Sequence, residues 1–172
     1  MSSAAVGAAA LLLTGCGTSS SSPAEQRSLE LDWHETTGRA DARLIVDVRR
    51  LVIRRNGWSV EAGVTNRTGV GLLIGRPHHT GGTEFGVLLV EDRSTDAIDK
   101  AGPGFFASTF RPALPSLLNP GQAWRGTFSG RGRLASGRFV RVELGRFTTV
   151  GGPRGGLPWR FRYITDHVRR LP

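Results

Sequence analysis

The stretch W-S-V-E-A-G-V-T at residues 58–65 decides the fold class of this chain. Its apolar residues recur at every second position, which is the pattern of a β-strand that buries one face. The dipeptide Asn56-Gly57 stands directly before it, and Asn-Gly between two apolar runs is a strong β-hairpin signal. The residues expected to face a core are Trp58, Val60, Ala62 and Val64, with Ser59, Glu61 and Gly63 on the opposite side.

Segments with strand-like patterns continue on both sides of this hairpin. Alternation marks residues 29–34, 123–129, 139–144 and 159–163, while 44–54 is β-branched and apolar. F-G-V-L-L-V-E at 85–91 is a continuous apolar run that suits a central strand, and Phe105–Phe110 is a further short candidate strand. Turn residues are frequent, with 24 Gly and 9 Pro in the chain. These features predict an all-β, antiparallel β-sandwich over residues 29–172.

Three motifs within this region resemble those of immunoglobulin-like or telokin-like sandwich domains. They are W-x-V-x-A-x-V-x-N at 58–66, L-x-P-G at 118–121 and W-x-G-x-F at 124–128. The resemblance covers residues 44–150, and the Cys…Trp…Cys signature of true immunoglobulin domains is absent. It implies an immunoglobulin-like architecture and no particular chemistry.

The N-terminal residues have the pattern of a targeting signal. The apolar run Ala4–Leu13 leads into Leu13-Thr14-Gly15-Cys16, and a Ser-rich segment follows at 18–22. This resembles the lipobox of bacterial lipoproteins, in which the chain is cut before a cysteine that carries a diacylglycerol. The run is too short for a membrane-spanning helix, which needs roughly 20 apolar residues. Cys16 is the single cysteine, so it has no intramolecular disulfide partner.

The lipobox resemblance implies a signal peptide at 1–15 and a flexible tether with lipidated, palmitate-bearing Cys16 at 16–28. It also implies a location on the extracytoplasmic face of the bacterial membrane. The n-region Met1-Ser2-Ser3 departs from the usual pattern because it lacks Lys and Arg. Either the N-terminal amine supplies the only positive charge, or the true start lies upstream of Met1. The alternative for this segment is a buried N-terminal helix that ends at Gly15.

The charge of +9 is concentrated in the last third of the chain. Residues 1–120 hold 12 basic and 12 acidic residues, whereas 121–172 hold 11 Arg against Glu143 and Asp166. A basic surface attracts anionic lipid headgroups or wall polymers. The off-core positions of the predicted strands hold Arg125, Arg141, Arg160 and Arg162. If these strands are neighbours, the guanidinium groups form a ladder that binds phosphates or carboxylates; the alternative is pairing with nearby acids.

Candidate chemistry is otherwise sparse. The loop residues His78 and His79, with Glu84, are suitable zinc or copper ligands, and a further ligand would come from His34 or His167. Two exposed loop histidines are the alternative. No G-x-S-x-G motif and no carboxylate pair in a predicted cleft occurs. The chain is therefore expected to be non-enzymatic, with no cofactor and no nucleic-acid partner.

Together these features predict a lipid-anchored, extracytoplasmic β-sandwich that acts as a binding or interaction module. Its expected partners are the membrane, through diacylglycerol on Cys16, and an anionic envelope polymer or envelope protein. Two alternatives remain: a metal-handling lipoprotein that uses the His78-His79 loop, and a purely structural envelope protein.

Overall fold

A computed structural model describes residues 26–39, 42–75, 84–94, 104–153 and 157–172. The strands in these ranges are β1 (Arg27–Arg39), β2 (Ala42–Arg54), β3 (Gly57–Arg67), β4 (Leu72–Ile74), β5 (Phe85–Val90), β6 (Phe105–Phe106), β7 (Thr109–Arg111), β8 (Leu117–Leu118), β9 (Ala123–Arg131), β10 (Phe139–Thr149), β11 (Arg160–Ile164) and β12 (Arg169–Arg170). These ranges contain no helix, and hence none long and apolar enough to cross a bilayer. The predicted signal peptide and Cys16 lie outside the described residues.

The strands form two antiparallel sheets packed as a sandwich, so the predicted fold class is confirmed. Sheet A has the strand order β1-β2-β3-β9-β7. Sheet B has the order β6-β5-β10-β4-β8, with β11 and β12 also paired to β10. The long strand β10 pairs with β5 and β4 along one edge and with β11 and β12 along the other. It is therefore the central strand of sheet B.

The hairpin predicted at Asn56-Gly57 joins β2 to β3, with Arg54 opposite Gly57. The alternating residues of β3 face the core as expected, and Trp58, Val60 and Val64 are almost completely buried. Phe85 of sheet B lies edge-on to Trp124 and Phe128 of sheet A, with ring centroids 6.0 and 5.5 Å apart. Aromatic edge-to-face contacts thus join the two sheets at the centre of the sandwich.

Strand β5 is a continuous apolar run because its side chains are buried on both faces of the sheet. Val87 faces the main core, opposite Val142, whereas Leu88 is opposite Arg141 and points to the outer side. Leu88 is nevertheless buried, and a Cβ placed on Gly104 would come within 2.8 Å of its Cδ2. The chain at Gly104 therefore packs against Leu88 on the outer side of β5.

The prediction of one strand at Phe105–Phe110 is wrong. The segment forms two short strands in different sheets, since β6 pairs with β5 and β7 pairs with β9. Between them, the Ala107 amide donates to the Phe85 carbonyl at 2.7 Å and the Ser108 amide to the Ser129 carbonyl at 2.9 Å. Adjacent residues thus bond to opposite sheets. The chain crosses the sandwich at the buried Ala107.

Register shifts alter the alternation of three long strands, and the shift in β2 lies between Val48 and Arg50. The other two lie at residues with a positive φ. One lies between Glu30 and Trp33 in β1, where Asp32 has a φ of 48°. The other lies between Glu143 and Arg146 in β10, where Gly145 has a φ of 86°. A Cβ on Gly145 would also lie 2.5 Å from the Phe85 ring. Glycine is therefore required both by the positive φ and by the lack of space for a side chain. The shift in β10 brings both Leu144 and Phe147 into the core.

Candidate functional site

The four arginines predicted to form one ladder lie on different parts of the sandwich. Arg125 belongs to β9 of sheet A, while Arg141, Arg160 and Arg162 belong to sheet B. Because β9 is not a neighbour of β10 or β11, no continuous ladder joins all four. Arg125 is exposed and lines a shallow groove that Asp47 and Glu61 also line. Its surroundings are therefore of mixed charge.

Arg141 lies on the outer side of β10, as the alternation predicted, but it is only 1% exposed. Nη1 donates to the carbonyls of Thr165 and Asp166, each at 2.7 Å. Nη2 donates to the carbonyls of Arg93 and Ser94 at 3.1 and 3.4 Å. The guanidinium therefore holds two crossing segments against sheet B. It is enclosed by protein where the sequence analysis expected a ligand-binding cation.

Arg162 is held by a buried carboxylate. Its Nε donates to Glu143 Oε1, and its Nη2 donates to Glu143 Oε2 at 2.6 Å. Glu143 is fully buried, whereas Arg162 is 42% exposed. Burial raises the pKa of Glu143, and hydrogen bonding and charge attraction from Arg162 oppose that rise. Hydrogen bonding to Glu143 raises the pKa of Arg162.

A second ion pair lies beside the first. Arg146 is opposite Arg162 across the β10–β11 ladder, and its guanidinium contacts both carboxylate oxygens of Glu84, at 3.0 and 3.1 Å. Two guanidinium groups and two carboxylates thus form a neutral network on the outer face of sheet B. This network leaves Arg162 without the excess charge that would attract an anion.

Arg160 differs from the other predicted site residues on sheet B. Its guanidinium lies 4.7 Å from the ring centroid of Trp159, a side chain that is 54% exposed. Both residues lie at the edge of sheet B, where the Thr149 amide donates to the Trp159 carbonyl at 2.9 Å. Within the described ranges Arg160 makes no ion pair, so it remains available to an anion.

The metal-site hypothesis is only partly covered by the described residues. His78 and His79 lie outside them, and Glu84 is engaged by Arg146. The expected additional ligands are also engaged: His34 Nδ1 is 2.7 Å from Asp47, and His167 Nδ1 is 2.6 Å from Glu35. In the part of the chain that the structure describes, no three His, Cys, Asp or Glu side chains converge as metal ligands.

Glu35 organises a cluster that the sequence analysis did not identify. Its carboxylate accepts hydrogen bonds from the Tyr163 hydroxyl at 2.7 Å and from the amides of Asp166 and His167 at 3.0 and 2.8 Å. The His167 ring also stacks on Trp33, with centroids 5.9 Å apart. These contacts join β1 of sheet A to the segment after β11 of sheet B. Glu35 lies at the same alternating, inward-facing positions of β1 as Leu31 and Trp33. An acidic residue at such a position was the signal in the sequence that could have indicated this cluster.

The electrostatics of this cluster favour a charged carboxylate. Burial by itself raises the pKa of Glu35, but the hydrogen bonds from His167, Tyr163 and Asp166 together lower it below its usual value. Burial also raises the pKa of Tyr163, as does its hydrogen bond to Glu35. The phenol therefore remains a proton donor, and the carboxylate an acceptor, over the physiological pH range.

One end of the sandwich collects exposed arginines from both sheets. The register of sheet A brings Arg27, Arg54 and Arg131 to the same end of neighbouring strands. Arg27 pairs with Ile53, next to Arg54, and Gly57 pairs with both Arg54 and Arg131. In sheet B, the Arg138 carbonyl accepts from the Leu171 amide at 2.8 Å. Nη1 of Arg27 in β1 donates to an oxygen of Pro172, two residues after β12, at 3.4 Å. We call this region the basic end, defined by the exposed residues Arg27, Arg54, Arg55, Arg131, Arg133, Arg138, Arg169 and Arg170.

Carboxylates neutralise the basic end only in part. Glu91 pairs with Arg138 at 2.9 Å, and Asp92 follows Glu91 on the same loop. Glu30, further along β1, is paired with Arg50 at 2.7 Å. Among the described residues, Arg55, Arg131, Arg133 and Arg169 form no ion pair. The uneven charge along the sequence indicates only part of this surface, because Arg27, Arg54 and Arg55 come from the charge-balanced first 120 residues.

Comparisons of the chain with protein-family models, with curated proteins and with solved structures find no match.

Proposed function

We propose that this chain is a lipid-anchored, extracytoplasmic β-sandwich that acts as a non-enzymatic module and binds an anionic component of the cell envelope. The observation that carries the proposal is the basic end, where exposed arginines from both sheets outnumber the nearby carboxylates. Guanidinium groups bind phosphate and carboxylate in bidentate geometry, so such a surface fits a polyanion. The proposed binding surface is therefore the basic end. It does not include the residues expected from the sequence, which are Arg125, Arg141, Arg160 and Arg162.

A rigid framework supports a binding role. Arg141 holds two crossing segments on sheet B, and Glu35 joins sheet A to the C-terminal segment. The buried carboxylates Glu35 and Glu143 are each held by several donors, which leaves them poorly placed to exchange protons with a substrate. These arrangements favour a module that presents a fixed surface to a partner.

The proposed anchor is tested by Cys16→Ala in the full chain. We expect this change to release the protein from the membrane fraction and to abolish incorporation of labelled palmitate, because two acyl chains give stable anchoring and no other anchor is proposed. Ser20→Ala, on the same predicted tether, is the matched control and should leave both measurements unchanged. Membrane retention of the Cys16→Ala protein at the wild-type level would contradict the anchor.

The proposed anionic site is tested on an immobilised phosphate polymer with the unlipidated full chain carrying Cys16→Ala. One variant adds Arg55→Ala, Arg131→Ala, Arg133→Ala and Arg169→Ala at the basic end. The control variant adds Arg39→Ala, Arg67→Ala, Arg111→Ala and Arg125→Ala, which are exposed residues elsewhere. Since both lose the same charge, earlier salt elution of the basic-end variant alone supports a site. Equal elution of the two variants would show binding through net charge and contradict it.

A further inference from the structure

We infer that the anionic component is the bilayer surface itself, and that the sandwich lies with its basic end against the lipid headgroups. In this orientation the long axes of β1, β2 and β3 extend from the membrane surface toward the opposite end of the sandwich, with β2 antiparallel to the other two. The inference rests on the proposed lipid anchor and adds two things to the proposed function: the partner of the basic end and the orientation of the domain.

The path of the chain is the first argument. Strand β1 begins at Arg27, which is itself part of the basic end. The tether predicted between Cys16 and Arg27 has about ten residues, and a flexible linker of that length would have a mean end-to-end distance of about 18 Å. The 13 residues of β1 extend a further distance of about 40 Å, to Arg39. An acyl chain on Cys16 would therefore keep the basic end close to the headgroups and the opposite end far from them.

The distribution of charge over the faces is the second argument. The outer face of sheet A carries an ion pair between Arg49 and Glu61 at 3.8 Å, and His34 Nδ1 lies 2.7 Å from an Asp47 carboxylate oxygen. The outer face of sheet B carries the neutral network of Glu84, Arg146, Glu143 and Arg162. Both faces are thus largely compensated by their own side chains. The basic end is not compensated to the same degree, so an anionic surface is attracted more strongly to this end than to either sheet face.

The range of the attraction is the third argument. The potential of an anionic membrane decays within a Debye length, which is about 8–10 Å at physiological salt. Each arginine held within that distance contributes about fivefold to membrane partitioning. Arg55, in the turn between β2 and β3, and Arg131, opposite Gly57, satisfy this condition only when the basic end faces the bilayer. Arg39 and Arg67 at the opposite end lie beyond this range in that orientation.

The test uses sedimentation of the unlipidated Cys16→Ala full chain with vesicles of phosphatidylcholine, with or without phosphatidylglycerol. We expect binding only to vesicles that contain phosphatidylglycerol, and weaker binding as salt increases. The basic-end variant should bind at least about tenfold more weakly, whereas the control variant should bind like its parent. Thermal midpoints within about 2 °C of the parent would show that both variants are folded.

Two results of the sedimentation experiment would overturn the inference. One is the absence of binding to phosphatidylglycerol vesicles by the parent protein at low salt. The other is an equal loss of binding in the two variants. Neither result bears on the phosphate-polymer and palmitate measurements, so failure of the bilayer inference and failure of the proposed function are distinguishable. Selective retention on the polymer without vesicle binding would assign the basic end to a soluble or wall-bound polyanion.

Orientation is measured with a fluorophore on Ser136→Cys, near the basic end, or on Ala123→Cys, opposite Thr65 at the other end. Both are introduced into the Cys16→Ala chain, so each protein has one thiol. A headgroup quencher in phosphatidylglycerol vesicles should reduce the emission of the label at 136 several-fold more than that at 123. Equal quenching, or stronger quenching at 123, would overturn the proposed orientation.

Discussion

The carboxylate of Glu35 on the first strand accepts a 2.7 Å hydrogen bond from the hydroxyl of Tyr163, a residue 128 positions later in the chain. Both side chains are buried where β1 of sheet A faces β11 of sheet B. The same carboxylate also accepts hydrogen bonds from the amides of Asp166 and His167. One inward-facing acid on β1 thus fixes the position of the C-terminal segment.

Glu35→Gln is predicted to destabilise the protein at neutral pH by about 2–3 kcal/mol, because neutral glutamine accepts weaker hydrogen bonds and presents an NH₂ group to donors. The pKa of Glu35 is lowered in the folded state. Its stabilisation is therefore present above the unfolded-state pKa, roughly 4.3, and is lost as pH falls through the lower folded value. Urea unfolding at several pH values measures this, and the difference between the two proteins should shrink below about pH 4.

The control for this prediction is Glu61→Gln, which changes a more exposed carboxylate on sheet A. A change within about 0.5 kcal/mol is expected there. An equal stability of the Glu35→Gln protein and the wild type at pH 7 would refute the role assigned to Glu35.

Arg141→Lys is predicted to lower the free energy of unfolding by about 2–4 kcal/mol, although it preserves the charge. A lysine ammonium cannot reach carbonyls from both the 93–94 and 165–166 segments in the geometry of the guanidinium fork, so buried acceptors lose their donors. Urea unfolding measures the change. Arg125→Lys on sheet A is exposed and should alter stability by less than about 0.5 kcal/mol. Similar effects of the two substitutions would be inconsistent with this account.

Arg162→Ala is predicted to destabilise the protein by about 3 kcal/mol at pH 7, since it leaves the buried Glu143 without its partner. Burial raises the folded-state pKa of Glu143, so protonation favours the folded state and stability recovers as pH falls through that raised value. Adding Glu143→Gln should restore most of the loss at pH 7. Unfolding of the two single variants and the double variant completes a double-mutant cycle, and additive effects would show that the two residues are not coupled.

The fold class could be predicted because the alternation of residues 58–65 and the Asn56-Gly57 turn are local properties of strands. The sequence also indicated correctly that Arg141 and Glu143 lie on the side of β10 opposite Val140 and Val142. It could not indicate that both would be buried. Alternation specifies the face on which a side chain lies, whereas burial depends on whether another segment covers that face.

The division of Phe105–Phe110 between two sheets has a similar cause. Each half has the composition of a strand, but pairing with β5 or β9 is decided by residues distant in the sequence. The basic end likewise depends on topology, because Arg27 and Arg54 come from balanced segments while Arg131 and Arg169 come from the basic third.

The sequence by itself determined most of the long strands, the Asn56-Gly57 hairpin and the total charge, since periodicity and turn chemistry act over a few residues and charge follows from composition. Tertiary structure decided which arginines are enclosed, which are neutralised and which remain exposed together. The physical reason is that the field at a surface depends on distances between side chains, and sheet pairing sets those distances. Arg141 and Arg131 are alike as residues in the sequence, but one is sealed beneath two chain crossings and the other lies at the basic end.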